Sequence, residues 1–102
     1  MTGPYYVDEQ VTLYHGHWQE LIDPDLSADL IVTDPPYGET QLNWDRWPHG
    51  WPAQAARHSS AMWCWGSMRM FLDHRDEFNA WKLSHDVVWE KHNPVIRTNC
   101  PQ

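Results

Sequence analysis

The residues best suited to chemistry are four in a row, Asp34-Pro35-Pro36-Tyr37, which directly follow an apolar run. The Asp34 carboxylate is a hydrogen-bond acceptor, and the two prolines fix φ and offer no N–H, so the segment is stiff and presents carbonyl groups. An exocyclic amino group has two N–H donors, which Asp34 and the Pro35 carbonyl can accept. Tyr37 adds a flat face for stacking. The pattern indicates a pocket for an amino group on an aromatic ring, such as adenine or cytosine. An ordinary turn at a strand end is the alternative.

Strand-like and helix-like segments alternate along the chain, which is typical of an α/β fold with a mostly parallel sheet and flanking helices. The apolar run at 29–33 predicts a strand that is buried on both faces. In parallel sheets ligands bind at the carboxyl ends of strands, where Asp34 stands. The loop at 34–50, rich in Pro, Gly and Trp, is long enough to be functional or mobile. The other predicted strands are 11–15, 60–67 and 85–91, and the predicted helices are 17–22, 51–59 and 68–81.

Composition and charge restrict the classes of function. With 41% apolar residues, the chain can form one small domain or part of a larger one. The net charge is −7, with seven Lys and Arg in all, so a nucleic-acid role needs basic residues from elsewhere. No transmembrane run or secretion signal is recognisable, which favours the cytoplasm. Two cysteines and the histidine spacing favour neither a disulfide framework nor a metal site.

Eight tryptophans are far more than a chain of this length usually holds. Most are expected to pack in the core or in loops, because an indole ring supplies a large apolar area. Trp44, close to the motif in sequence, is expected to line the base pocket together with Tyr37. Loop packing is the alternative for Trp44 and for Trp47.

The segment "ADLIVTDPPYG" resembles the catalytic motif of S-adenosylmethionine-dependent DNA amino-methyltransferases, which act on N-6 of adenine or N-4 of cytosine. "LYHGHWQELI" resembles the strand and helix before that motif, "AMWCWGS" the next strand, and "VVWEKHNP" a later strand. The resemblance covers roughly residues 11–93 and is nearest to small phage or bacterial versions. An isolated match to Asp-Pro-Pro-Tyr would arise by chance on the order of once in a thousand such chains. The resemblance implies a Rossmann-like methyltransferase fold, here partial.

The resemblance also implies a role for each motif residue. The target base is flipped out of the DNA duplex, and its amine attacks the sulfonium methyl of S-adenosylmethionine. Asp34 and Pro35 accept hydrogen bonds from the amine and stabilise its developing charge, Pro36 sets the geometry, and Tyr37 stacks on the base. Asp at the first position favours adenine over cytosine. No metal is required.

Cofactor binding is expected near Asp34, Gly16 and His17, although the family usually has Asp where His17 stands. The family also holds the methyl donor with a Gly-x-Gly type loop, and none of the five glycines here has that spacing. Residues 1–102 are therefore expected to be the N-terminal catalytic portion, without the glycine loop and the target-recognition region. That portion would act with a C-terminal portion or a second polypeptide.

Four alternatives stay open at this point. They are a cytosine N-4 DNA methyltransferase, an inactive truncated remnant, a methyltransferase of RNA bases, and a methyltransferase of protein glutamine side chains. The last group usually has Asn in place of Asp34.

Overall fold

In the computed structural model, which describes residues 3–90, the motif follows strand β3 (Ile31–Thr33). This strand pairs in parallel with β4 (Met62–Cys64), with Val32 opposite Trp63. The hydrogen-bonded ladder extends one residue beyond each end of β4. Ile31 N–H donates to the Ala61 carbonyl at 3.0 Å, and Trp65 N–H donates to the Thr33 carbonyl at 2.9 Å. The carboxyl ends of both strands therefore lie at the same edge of the sheet.

A second two-stranded sheet stands apart from the first. β1 (Tyr6–Val7) and β2 (Thr12–Leu13) pair antiparallel, and helix α1 (Trp18–Leu21) follows. The tight turn between β1 and β2 is held by Asp8, whose carboxylate accepts from the N–H groups of Gln10 and Val11. The two sheets share no strand pairing in the described part of the chain.

Three helices follow the motif. Helix α2 (Trp51–Ala55) carries a proline in its first turn. Proline is tolerated there because the N–H groups of the first turn have no intrahelical acceptor. Helix α3 (Met68–Asp73) is capped by Ser67, whose hydroxyl accepts from Met70 N–H at 3.0 Å. A 3-10 helix, Arg75–Phe78, completes the set.

The hydrophobic core lies on one side of the β3–β4 sheet. Trp47, Trp51, Ala55 and Met70 are buried, and they come from the long loop, α2 and α3. Half-buried side chains from the sheet, α1, the motif and the 3-10 helix pack around them: Trp18, Ile31, Tyr37, Met62, Cys64, Phe71, Phe78 and Trp81. The prediction that most tryptophans pack internally holds for half of the eight: Trp47 and Trp51 are buried and Trp18 and Trp81 pack against them, whereas Trp44, Trp63, Trp65 and Trp89 are exposed.

The chain is thus a small mixed α/β structure, and several predicted elements are confirmed with shorter bounds. Strand 29–33, strand 60–67 and the three helices are all present, and residues 34–50 form a loop without helix or strand. The predicted helix 68–81 is interrupted at His74, where α3 ends and the 3-10 helix begins. Strand 11–15 is reduced to Thr12–Leu13, and its antiparallel partner Tyr6–Val7 was missed. The prediction of a mostly parallel sheet holds for β3–β4 alone.

Two predictions are wrong. The strand at 85–91 does not form over 85–90, where Val87, Val88 and Trp89 are exposed and lie in no regular element; residue 91 lies outside the described residues. β-branched and aromatic residues favour a strand only where a neighbouring strand and a packed surface receive them. Strand β3 is not buried on both faces either, since Leu30 and Val32 are exposed.

Within residues 3–90, no helix is long and apolar enough to cross a bilayer.

Candidate functional site at the carboxyl end of β3

Asp34 and Tyr37 are joined directly. The Tyr37 hydroxyl donates to Asp34 Oδ1 at 2.8 Å, which fixes one oxygen of the exposed carboxylate, while no residue in the range 3–90 donates to Oδ2. Burial, together with the neighbouring Asp34 carboxylate, raises the pKa of Tyr37 to about 12, so the phenol stays protonated at neutral pH. Sequence reasoning expected the ring as a stacking surface and missed the bond from its hydroxyl to Asp34.

Two prolines lie between Asp34 and Tyr37 in the chain. Pro35 is buried and Pro36 half-buried, and the Pro35 carbonyl accepts no hydrogen bond from the described residues. The Tyr37 ring packs against the core cluster with part of its surface and keeps the rest exposed. Within residues 3–90, neither Asp34 Oδ2 nor the Pro35 carbonyl therefore has a hydrogen-bond donor.

Cys64, at the carboxyl end of β4, lies beside the same pair because it is in register with Thr33. Burial, and secondarily the Asp34 charge, raises the pKa of the Cys64 thiol to about 11. A thiol held in its protonated form is a weak nucleophile. Cys64 is thus an uncharged side chain beside Asp34 and Tyr37 rather than a nucleophile.

Asp45 organises the loop that follows the motif, and the sequence analysis did not single it out. Its buried carboxylate accepts from the N–H groups of Gly38 at 2.8 Å, Glu39 at 3.1 Å and Thr40 at 2.8 Å, and from the Thr40 hydroxyl at 2.7 Å. Gly38 takes a positive φ of 75°, which turns its N–H and the next two toward one point. These bonds lower the pKa of Asp45 to about 2, and the bond from the Thr40 hydroxyl contributes most.

A second carboxylate, Glu77 of the 3-10 helix, fixes the far end of the loop. It accepts from Trp47 Nε1 at 2.8 Å and from Gly50 N–H at 2.7 Å. The Trp47 ring stacks on His74 with centroids 3.9 Å apart. Partial burial raises the pKa of Glu77, but the hydrogen bonds from Gly50, Trp47 and His49 outweigh it and leave that pKa lowered.

We expect Glu77→Ala to destabilise the fold by about 1–3 kcal/mol, because it leaves the Trp47 indole N–H and the Gly50 N–H without their acceptor. Thermal unfolding at pH 7 measures the change. Asp76→Ala, at an exposed position of the same 3-10 helix, is the matched control and should leave the melting temperature nearly unchanged. Equal melting temperatures for the two variants would contradict this role of Glu77.

The remaining predicted site residues are more dispersed. Trp44 is 70% exposed, so it is not packed into the loop, and no aromatic contact within residues 3–90 joins it to Tyr37. Gly16, with φ 141°, and His17 lie between β2 and α1, next to the separate antiparallel sheet. No hydrogen bond or aromatic contact within the described chain joins either of them to Asp34.

Residues 3–90 contain no Gly-x-Gly turn of the kind with which S-adenosylmethionine-dependent amino-methyltransferases hold the methyl donor. Among residues 3–90, no cluster of three or more His, Cys, Asp or Glu could hold a metal ion.

Of the two carboxylates that sequence reasoning missed, only Asp45 has a local signal. Asp45 follows Gly38 and Thr40 within one loop, and short carboxylates commonly bind nearby backbone N–H groups in that setting. Glu77 is 30 residues from Trp47, and nothing local connects them. The candidate site therefore comprises Asp34, Pro35 and Tyr37, and Asp45 and Glu77 fix the loop that follows it. Comparison of the chain with protein families, curated proteins and solved structures gave no match to any family model, any curated protein or any solved structure.

Proposed function

We propose that this chain carries the acceptor-binding motif of a DNA amino-methyltransferase that acts on N-6 of adenine in the cytoplasm, within a Rossmann-like methyltransferase fold. One observation supports the proposal: Asp34-Pro35-Pro36-Tyr37 stands at the carboxyl end of a parallel strand, with an aromatic ring and two acceptors that have no donor within residues 3–90. Open α/β sheets bind their ligands at such an edge.

The geometry suits an aromatic amine. Its two N–H groups can donate to Asp34 Oδ2 and to the Pro35 carbonyl, which draws the nitrogen lone pair out of conjugation with the ring. The same two acceptors stabilise the positive charge that develops on nitrogen as it is alkylated. The Tyr37 hydroxyl keeps the carboxylate in one orientation, so little reorganisation is needed when the amine arrives.

The methyl donor in this proposal is S-adenosylmethionine, which supplies an electrophilic methyl group. Asp34, Gly16 and His17 are the residues of this chain that would lie near it. DNA is the partner, with its target base flipped out of the duplex, because an amine engaged in base pairing is out of reach. Since the chain is acidic, basic residues from a C-terminal portion or a second polypeptide would hold the phosphates.

Binding of the base tests the proposal without a methyl donor. Four oligothymidylates are titrated into the 102-residue chain while the NMR signals of the Tyr37 ring are followed: one of thymidine alone, and three with a central adenine, N6,N6-dimethyladenine or cytosine. We expect the adenine oligonucleotide to bind best, and the dimethylated one to bind no better than thymidine alone, because it has no amine donors. Asp34→Ala should abolish the difference.

Equal binding of all four oligonucleotides would contradict the proposal. A preference for cytosine over adenine would instead support the N-4 alternative. The isolated oligonucleotides need no duplex opening, so the result reports on the pocket alone.

Tyr37 separates the contribution of its ring from that of its hydroxyl. Tyr37→Ala should weaken binding of the adenine oligonucleotide by roughly 1–3 kcal/mol, the usual contribution of stacking on one base. Tyr37→Phe should retain most of the affinity, because the ring remains and only the bond to Asp34 is lost. The same NMR titration measures both. A Phe variant as weak as the Ala variant would show that orientation of Asp34, rather than stacking, is the main role of Tyr37.

A further inference from the structure

A cavity of about 700 Å³ opens at the amino end of the β3–β4 sheet, at the edge opposite the motif. One wall is the segment 27–29, which leads into β3, the second is 56–60, which leads from α2 to β4, and the third is 80–82. No residue of the motif lines it. The cavity is therefore separate from the candidate site, and its volume is within the range of pockets that hold small organic ligands.

Hydrogen bonds hold the three walls in place without any ligand. Ala28 N–H donates to the His58 carbonyl at 2.7 Å. His58 Nδ1 lies 2.8 Å from the Leu26 carbonyl and must be the donor, because a carbonyl can only accept. Trp81 Nε1 donates to the Pro52 carbonyl at 2.7 Å, which joins the third wall to α2. A preformed cavity of this kind loses little conformational entropy when a ligand binds.

Positive charge is concentrated at this cavity. Two of the seven Lys and Arg residues of the chain, Arg57 and Lys82, line it, and neither forms an ion pair within residues 3–90. Asp29 is the one carboxylate among the described lining residues, and it is paired with neither cation. Arg69, by contrast, pairs with Asp73 at 3.8 Å. The cavity thus has an excess of positive charge in a chain whose net charge is −7.

The same lining residues carry further hydrogen-bond donors that lack an acceptor. The consecutive N–H groups of Ser59 and Ser60, and the hydroxyls of Ser27 and Ser60, donate to no atom of residues 3–90. Ser59 is only 8% exposed. An N–H group at a buried residue is unfavourable without an acceptor, so such a group normally has a bound water or a ligand as its partner.

These donors and cations select the ligand. Guanidinium, ammonium, hydroxyl and backbone N–H groups together are complementary to the oxygens of a phosphate group. A phosphate monoester has about two negative charges at neutral pH, which match two cations, whereas a phosphodiester has one. A nucleic-acid backbone would also have to approach the acidic remainder of the chain, which a small molecule need not do.

We propose that this cavity binds the phosphate group of a small organic phosphate monoester. Arg57 and Lys82 supply the charged contacts, the N–H groups of Ser59 and Ser60 supply neutral donors, and the rest of the cavity receives the organic part of the ligand. The inference does not depend on adenine methylation, because it uses no residue of the motif and no methyl donor.

Methyl phosphate and dimethyl phosphate test the proposal, because they differ by one methyl group and one negative charge. Each is titrated at neutral pH, in a buffer free of phosphate, into the isotope-labelled 102-residue chain while the backbone amide NMR signals are followed. We expect methyl phosphate to shift the signals of Ser59 and Ser60 and to bind about tenfold or more tightly than dimethyl phosphate. The signals of Gly38 and Thr40, beside the motif, should not move.

Two double variants with the same change in net charge locate the binding. Arg57→Gln, Lys82→Gln should weaken binding of methyl phosphate about tenfold or more. Arg69→Gln, Arg75→Gln is the matched control, because these two residues do not line the cavity, and it should leave the affinity nearly unchanged. All four side chains are exposed, so neither variant removes a core contact, and circular dichroism checks that both fold.

Several outcomes would overturn the proposal. Equal weakening by the two double variants would show a general attraction of anions to positive charge. Equal affinity for the two probes, or no shift at Ser59 and Ser60 up to about 10 mM methyl phosphate, would also contradict it. If methyl phosphate fails to bind but an oligothymidylate binds and Arg57→Gln, Lys82→Gln abolishes that binding, the cavity receives a DNA phosphate instead. Since the probes contain no base, a failure here leaves the adenine titration unaffected, and the reverse also holds.

Discussion

Asp34→Ala should lower the rate of adenine methylation by about a hundredfold or more in a preparation that transfers methyl groups to DNA. The carboxylate accepts from the amine most strongly when that nitrogen becomes positively charged, and removal of one such oriented group typically has an effect of this size. The effect should appear in kcat. The affinity for DNA should change far less, because contacts to phosphates dominate it.

Tritium transfer from labelled S-adenosylmethionine measures the rate, and a filter-binding titration measures the affinity. Asp29→Ala is the matched control: it removes an exposed carboxylate just before the same strand, at the opposite end from the motif. Wild-type turnover by Asp34→Ala, or an equal loss in Asp29→Ala, would refute the role assigned to Asp34.

Asp45→Asn should release the loop that follows the motif. The amide can still accept hydrogen bonds, but without charge it holds the N–H groups of Gly38, Glu39 and Thr40 less strongly, and its NH2 faces these donors. We expect hydrogen exchange at these three amides to accelerate by about tenfold or more at neutral pH. Exchange in β3 and β4 should be nearly unchanged.

The same carboxylate predicts an acid transition. The pKa of Asp45 is about 2 in the fold, below its ordinary value of 3.8, so the unfolded chain takes up a proton first. Its contribution to stability is therefore fully present above about pH 4 and is lost as the pH falls toward 2. NMR shifts of the Gly38 and Thr40 amides should follow that loss in the wild type and stay flat in Asp45→Asn. A wild-type profile in the variant would show that another group controls the loop.

The sequence by itself determined the motif and the strand that presents it. A continuous apolar run followed by Asp34 and two prolines can hardly form anything other than a strand that ends in a stiff, acceptor-rich turn. Proline in the first turn of α2 and Ser67 before α3 fixed the starts of these helices for equally local reasons. The net charge could also be read directly from the sequence, because it requires only a count of the charged residues.

Tertiary structure alone decided how the motif is held and what covers the strand. The hydrogen bonds that Glu77 accepts from Trp47 and Gly50 join segments about 30 residues apart, and no local pattern encodes such a pairing. The apolar run at 29–33 could not tell whether one face or both would be covered, because periodicity reports the hydrophobicity of a strand and not the presence of its neighbours. Residues 85–90 have strand propensity but no strand beside them, and a β-strand is stable only when another strand accepts its hydrogen bonds.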